Sequence, residues 1–125
     1  MALVLDAGGL DAVDRLDRNV GALLRVAQQE RMPVRTSAAV VAQVWRDGSR
    51  QANLARVPAG VDAVSLDGNT GRAVGEVLAL SNTVDVVDGH LGSIVRSGDT
   101  VLTSDSADIT RVLNARKVDA TVRRV

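Results

Sequence analysis

The sequence lacks several residue types on which common active sites depend. It contains no cysteine, which excludes disulfides, thiolate nucleophiles and Cys-ligated zinc. His90 is the only histidine, so zinc sites built on two or three imidazoles are excluded as well. Trp45 is the only aromatic residue, so the stacking platforms of many single-strand binders are missing. Any metal ion is therefore expected to be held by oxygen atoms.

The chain is short, and it has no excess of positive or negative charge. Its 125 residues carry 15 Lys plus Arg and 15 Asp plus Glu, and this zero net charge excludes a broadly basic surface for nucleic acid. A chain of this length that is 46% apolar suits one domain spanning residues 1–125. No signal peptide and no apolar run of membrane-spanning length is recognisable. The sequence therefore predicts a cytoplasmic protein without a membrane segment.

Short apolar runs alternate with helical patterns along the chain. The patterns predict strands at residues 2–5, 33–36, 61–66, 100–103 and 118–122, and helices at 10–27, 38–46, 49–56, 70–80, 85–96 and 106–115. Because parallel strands need helical crossovers to connect them, this order predicts an α/β fold with helices on both faces of a parallel sheet. In such sheets, functional residues lie beyond the carboxyl ends of the strands.

Four aspartates are predicted at that edge of the sheet. Asp6 directly follows the first strand, Asp105 almost directly follows the fourth, and Asp88 and Asp108 lie near the starts of helices. Each one alone is usually a helix cap or a dipole partner. Like charges that converge are costly and are usually held together by a cation, and carboxylate ligation favours Mg2+ or Mn2+. Such sites mostly act on phosphates. Outside these four, 15 basic groups face 11 acids.

The order and spacing of four segments resemble the PIN domain family, and within it the toxin ribonucleases of bacterial VapBC toxin–antitoxin systems. The resemblance covers essentially the whole chain. It implies a three-layer sandwich, with a central, mostly parallel sheet flanked by helices on both faces. The segments are Val4-Leu-Asp6-Ala-Gly8, Val40-Val-Ala-Gln43-Val-Trp-Arg-Asp-Gly48, Val84-Asp-Val-Val-Asp88-Gly-His90-Leu91 and Val101-Leu-Thr103-Ser-Asp105-Ser-Ala-Asp108-Ile109.

The same resemblance implies an endoribonuclease that hydrolyses RNA phosphodiester bonds with a metal-activated water. It implies that Asp6, Asp88 and Asp105 are catalytic and hold one or two Mg2+ ions, or Mn2+, with Asp108 as a further metal-binding acid. Supporting roles fall to Gln43, Thr103 and Ser104.

Gln43 departs from the family pattern, because many PIN domains have Glu at this position. Its amide oxygen accepts hydrogen bonds and is a weak cation ligand, but it brings no charge. Gln43 therefore favours an alternative function, a non-catalytic or weakly active PIN-fold binding or regulatory module.

The predicted partners are RNA, an antitoxin and a second copy of the chain. Arg46 and Arg50, one turn apart, are the candidates for RNA contacts, with Arg56 further along; a solvated helix face is the alternative. Trp45 is expected in the core or a partner interface rather than against a base. The resemblance implies a homodimer and a small antitoxin protein that binds near the acidic site. An antitoxin arginine would suit these carboxylates.

Two other α/β chemistries fit less well. A Ser-His-Asp hydrolase built on Ser104 and His90 lacks a Gly-x-Ser-x-Gly nucleophile elbow, and His90 is expected in a structural or rim role. A phosphorelay receiver domain needs a lysine after its last strand, whereas Lys117 precedes that strand.

Overall fold

Five parallel strands form the centre of the molecule. The computed structural model describes residues 1–53 and 60–125. The strands pair in the order β3-β2-β1-β4-β5, and every pairing is parallel. Their bounds are β1 (Leu3–Leu5), β2 (Val34–Ser37), β3 (Asp62–Val64), β4 (Thr100–Thr103) and β5 (Thr121–Arg124). The helices in the described ranges are α1 (Ala7–Asp14), α2 (Arg18–Gln29), α3 (Ala38–Val44), α4 (Gly68–Ser81), α5 (Val86–Ile94) and α6 (Ala107–Ala115).

The strand order reverses between β1 and β4. From β1 the chain steps outward to β2 and β3, and from β4 it steps outward in the other direction to β5. Because parallel crossovers are right-handed, α1–α3 cover one face of the sheet and α4–α6 cover the other. The predicted three-layer α/β fold is confirmed. The reversal opens a crevice at the carboxyl ends of β1 and β4, where such sheets place their ligands.

The central strands are buried because both of their faces are covered. Val4, Leu5, Val101 and Leu102 have no exposed surface, which explains why β1 and β4 read as continuous apolar runs. Leu91, Val95, Ile109 and Leu113 add the apolar faces of α5 and α6 to the same core. Aspartate or serine caps the first turn of most of these helices through a backbone N–H; these caps are Asp6, Asp17, Ser37, Asp67 and Asp85. No helix in the described ranges is long and apolar enough to cross a membrane.

The predicted single helix over residues 10–27 is wrong, because the chain forms two helices there. Leu16 takes a left-handed backbone with φ of 58°, and Asp17 starts α2 by accepting the N–H of Val20. Val13 and Val20 on either side of the turn are both buried in the core, so the apolar spacing continues through the break. The apolar periodicity of the sequence therefore does not indicate the break at Leu16.

Several element ends also differ from the prediction. The last strand is Thr121–Arg124 rather than 118–122, because the N–H of Val118 still bonds to Leu113 after a left-handed turn at Lys117. α3 and α5 end two residues early, since Trp45 and Val95 are extended. The third strand, predicted over 61–66, covers only Asp62–Val64. The predicted helix over 49–56 lies partly outside the described residues.

Candidate functional site

Asp6 lies at the carboxyl end of β1, within the crevice. Its backbone is extended and donates to the carbonyl of Leu102 over 3.2 Å, so the residue continues the strand beside β4. The side chain is only 7% exposed, and it accepts the N–H of Gly9 over 2.9 Å as the cap of α1. Burial raises the pKa of Asp6 and the charge of Asp105 adds to this, while donors from Thr103, Gly9 and Gly8 oppose it.

Two glycines allow α1 to begin directly against β4. A Cβ on Gly8 would lie 2.8 Å from the backbone nitrogen of Ser104, and one on Gly9 would lie 2.9 Å from the carbonyl oxygen of Leu102. No other residue type fits these positions without a shift of the backbone. This close approach places Asp6 next to the segment that contains Thr103 and Asp105.

Asp88 reaches the same edge from the first turn of α5. Its pKa is raised to about 6, first because the side chain is half-buried and then because of the negative charges of Asp85, Asp108, Asp6 and Asp105. Asp88 is thus close enough to each of these four carboxylates to interact with its charge. The structure therefore brings the four predicted aspartates to one edge, together with Asp85, the cap of α5. Over residues 1–53 and 60–125, none of these five makes an ion pair.

Thr103 holds the turn that carries Asp105. Its buried hydroxyl accepts the N–H of Asp105 over 3.0 Å and donates to the carbonyl of the same residue over 2.8 Å. The same hydroxyl lies close enough to the Asp6 carboxylate to lower its pKa. The Asp105 side chain accepts the N–H of Ala107 over 3.3 Å at the start of α6. Thr103 thus holds the backbone of the turn that carries Asp105 and lies beside Asp6.

Gln43 and Ser104 lie at the flank of this edge. Both border an open depression of about 370 Å³ between the start of α1 and the end of α3. Asp11 borders the same depression, although the sequence reasoning did not select it, and it pairs with Arg15 at 3.3 Å. Asp11 follows Ala7 by four residues, a spacing that puts both on one face of a helix, and this spacing could have indicated that Asp11 borders the site.

His90 is buried behind the carboxylates, without any exposed surface. Its Nδ1 hydrogen-bonds to the hydroxyl of Ser37, whose oxygen also accepts the N–H groups of Ala39 and Val40. Nε2 has no hydrogen-bond partner among the described residues. Burial lowers the pKa of His90, and the backbone carbonyl of Ser65 is close enough to oppose part of that shift. The ring therefore ties α5 to the start of α3, the structural one of the two roles, structural or rim, that the sequence predicts.

The two arginines predicted for RNA have local partners. Arg46 donates to the carbonyl oxygens of Ala42 and Trp45, and so caps the end of α3. Arg50 forms an exposed ion pair with Asp47 at 3.8 Å. Arg56 lies outside the described residues.

The donor set fits a hard divalent cation. In the described part of the chain, no group of three or more Asp, Glu or His is close enough to hold a metal ion as it stands. Mg2+, however, usually keeps several waters and takes only one or two carboxylates together with substrate phosphates. Asp6, which is buried, and Asp88, which is half-buried, lie near other carboxylates without an ion-pair partner in the described ranges, and they supply such an arrangement. The residues that could hold the ion are Asp6, Asp88, Asp105 and Asp108.

No family model and no curated protein matches the chain. Among solved structures, it is similar to a chain in the crystal structure of VapBC2 from Rickettsia felis bound to a DNA fragment from their promoter, with a TM-score of 0.69 at 12% identity. The similarity covers 100% of this chain and 99% of that one.

The chain has a PIN-like fold. The similarity runs over the full length, so the whole described sheet and its two helical layers belong to this architecture. At 12% identity the likeness concerns the fold alone, and function has to be argued from the side chains at the carboxyl edge.

Proposed function

We propose that this protein is a metal-dependent endoribonuclease, the toxin component of a type II toxin–antitoxin system. The observation that carries this proposal is the position of buried Asp6 and half-buried Asp88 near Asp105 and Asp108 at the carboxyl edge of the sheet, without an ion-pair partner in the described ranges. Uncompensated carboxylates at the crevice of a parallel sheet destabilise the fold, and a divalent cation relieves that cost. The PIN-like fold supports the same conclusion.

In this proposal, Asp6, Asp88 and Asp105 hold Mg2+ or Mn2+ and Asp108 completes the set. The bound ion would neutralise charge on the phosphodiester and lower the pKa of a water. The chain itself orients the carboxylates: the N–H of Gly9 holds Asp6, and Thr103 holds the turn that carries Asp105. The His90–Ser37 hydrogen bond ties α5, and thus Asp88, to the start of α3. Ser104 and Gln43 offer a hydroxyl and an amide to the RNA at the flank.

The test is cleavage of labelled RNA by the purified protein, with Mg2+, with Mn2+ and with EDTA. We expect cleavage only with a divalent cation, and its loss in Asp6→Asn and in Asp88→Asn. Asp119→Asn is the matched control, because Asp119 is exposed and precedes β5 at the opposite edge of the sheet. Cleavage in EDTA, or cleavage that survives both site substitutions, would contradict the proposal.

The second candidate is a non-catalytic binding module on the same fold, which Gln43 favours because it lowers the negative charge at the flank. The substitution Gln43→Glu separates the two functions. For a nuclease we expect higher metal affinity and a faster rate, because the added carboxylate lies at the depression beside Ser104. A protein that binds RNA but stays inactive after this substitution would be the module.

We further propose that the protein acts in the cytoplasm as a homodimer that a cognate antitoxin inhibits. The similar fold in the VapBC2 structure supports a partner protein of this kind. Growth arrest on expression, relieved by the product of the adjoining upstream reading frame, would test the antitoxin. Light scattering of the purified protein would test the dimer, and a monomer at micromolar concentration would contradict it.

A further inference from the structure

The carboxyl edge of the sheet is basic beside its acidic centre. β5 ends in Arg123 and Arg124, which are both exposed, and the register pairs Thr103 of β4 with Arg124. Asp6 continues β1 beside Thr103, since Leu5 pairs with Leu102 one residue earlier. A row of three side chains, Asp6, Thr103 and Arg124, therefore crosses three neighbouring strands.

This row lies on one face of the sheet. In a parallel sheet, residues that pair in register project from the same face, and consecutive residues project from opposite faces. Arg124 therefore leaves the sheet on the face of Asp6 and Thr103, whereas Arg123 leaves it on the face of Leu5 and Leu102. Because strands are about 4.8 Å apart, the Cα of Arg124 is roughly 10 Å from that of Asp6.

Arg124 has no local partner, unlike the arginines that follow α3. Within residues 1–53 and 60–125, its guanidinium makes neither an ion pair nor a hydrogen bond. Arg46 instead donates to two backbone carbonyls, and Arg50 pairs with Asp47. The end of β5 thus presents a cation without a local partner in the same row as Asp6.

We propose that Arg124 binds a phosphate of the RNA strand whose phosphodiester lies at the acidic edge. This inference rests on the proposed function and adds the residue that positions the backbone. A phosphodiester approaching the carboxylates is repelled, and a guanidinium in the same row offsets that repulsion. It also offers two parallel N–H donors, a geometry that suits phosphate oxygens.

The test is binding of a fluorescent single-stranded RNA in EDTA, with the salt concentration varied. Arg124→Gln is expected to weaken binding about tenfold and to lower the slope of log affinity against log salt by about 0.7, the value for one phosphate contact on a single strand. Arg124→Lys keeps the charge, so we expect it to restore the slope but only part of the affinity.

Arg123→Gln is the matched control, because it removes the same charge from the same strand on the opposite face. A groove of about 450 Å³ between α2 and the end of β5 is bordered by both arginines. We expect Arg123→Gln to leave the slope nearly unchanged. If RNA ran through this groove, Arg123→Gln and Arg124→Gln would lose the same amount of RNA affinity. That result would overturn the assignment to Arg124. Unchanged binding by Arg124→Gln would overturn it too.

A second measurement covers the case in which Arg124→Gln unfolds. In the wild-type protein, the Nε–Hε NMR signal of Arg124 is expected to shift on addition of RNA while that of Arg123 stays in place. A stationary Arg124 signal would overturn the proposal.

Cleavage assays in Mg2+ keep the two proposals separate. If Arg124→Gln weakens RNA binding but the wild type does not cleave the RNA, the proposed hydrolysis alone is contradicted. If the wild type cleaves the RNA but Arg124→Gln binds it as tightly as the wild type does, the phosphate contact alone is contradicted.

Discussion

Buried carboxylates occur at both edges of the sheet, in opposite environments. At the amino edge, Asp99 is 1% exposed, and its two oxygens accept the backbone N–H groups of Ala2 and Arg96, each over 2.8 Å. At the carboxyl edge, Asp6 and Asp88 are partly desolvated, and neighbouring carboxylates raise the pKa of both. At the amino edge, both oxygens of the carboxylate accept hydrogen bonds. At the carboxyl edge, acids lie near one another and repel.

The difference separates the structural use of aspartate from its functional use. Asp99 joins the chain before β1 to the chain before β4, and so fixes the two central strands. The repulsion among the acids at the carboxyl edge weakens the fold, and a cation or a ligand from outside would offset it. The predictions below test whether the two edges differ in this way.

The largest expected effect is on catalysis at the carboxyl edge. Asp88→Asn is expected to lower the rate of RNA cleavage by about a hundredfold or more, because it removes a carboxylate from the proposed metal site. The same substitution is expected to raise the melting temperature without divalent cations, since one repelling charge is gone. Cleavage rate and thermal unfolding measured on the same sample would check both. An Asp88→Asn protein that stays active, or that is less stable than the wild type, would contradict the proposed difference between the two edges.

Asp99→Asn is expected to have the opposite pattern. It places an amide NH2 against a buried backbone N–H, so we expect a loss of about 3 kcal/mol in the free energy of unfolding. Urea unfolding measures this loss. Cleavage per folded molecule should stay at the wild-type level because Asp99 lies at the far edge of the sheet. A variant as stable as the wild type would contradict the structural role.

Gly8→Ala tests the close contact that places Asp6. The new Cβ would collide with Ser104, so we expect a loss of about 2 kcal/mol in the free energy of unfolding. Cleavage should fall along with stability, since Asp6 moves relative to Asp105. Gly75→Ala is the control, because a Cβ there meets nothing within 4 Å. Equal stability of the two variants would show that the contact at Gly8 is unimportant.

The smallest effect expected is a dependence of stability on pH. Because the pKa of Asp88 is raised in the folded protein to about 6, the folded state binds a proton more tightly than the unfolded state does. This contribution to stability is present at low pH and is lost as the pH rises through 6. The melting temperature of the wild type in EDTA should therefore fall relative to that of Asp88→Asn between about pH 4 and pH 6.5, and the difference should level off at higher pH. A constant difference would contradict the raised pKa.

The sequence predicts the centre of this molecule better than its periphery. β4 lies at the predicted residues because burial on both faces produces an uninterrupted apolar run. The pairing of β1 with β4, which the sequence does not predict, brings Asp6 close to Asp105. The turn at Leu16 could not be seen, since both helices face the same core. The Ser37–His90 bond joins residues 53 positions apart, so no local pattern indicates it.

The position of Arg124 was missed for a related reason. Its place beside Thr103 depends on where β5 starts, and the predicted strand began three residues early because Val118 continued the apolar pattern. Sequence reasoning selected Arg46 and Arg50 by their spacing, but spacing does not reveal that both have local partners.

The central claim is that the carboxylates at the carboxyl edge bind a divalent cation. Calorimetric titration of Mn2+ into the wild-type protein at pH 7, beside Asp88→Asn and Asp99→Asn, tests it most directly. We predict saturable binding by the wild type and by folded Asp99→Asn, and affinity weakened at least about tenfold in Asp88→Asn. The absence of binding by the wild type, or equal binding by Asp88→Asn, would contradict the account.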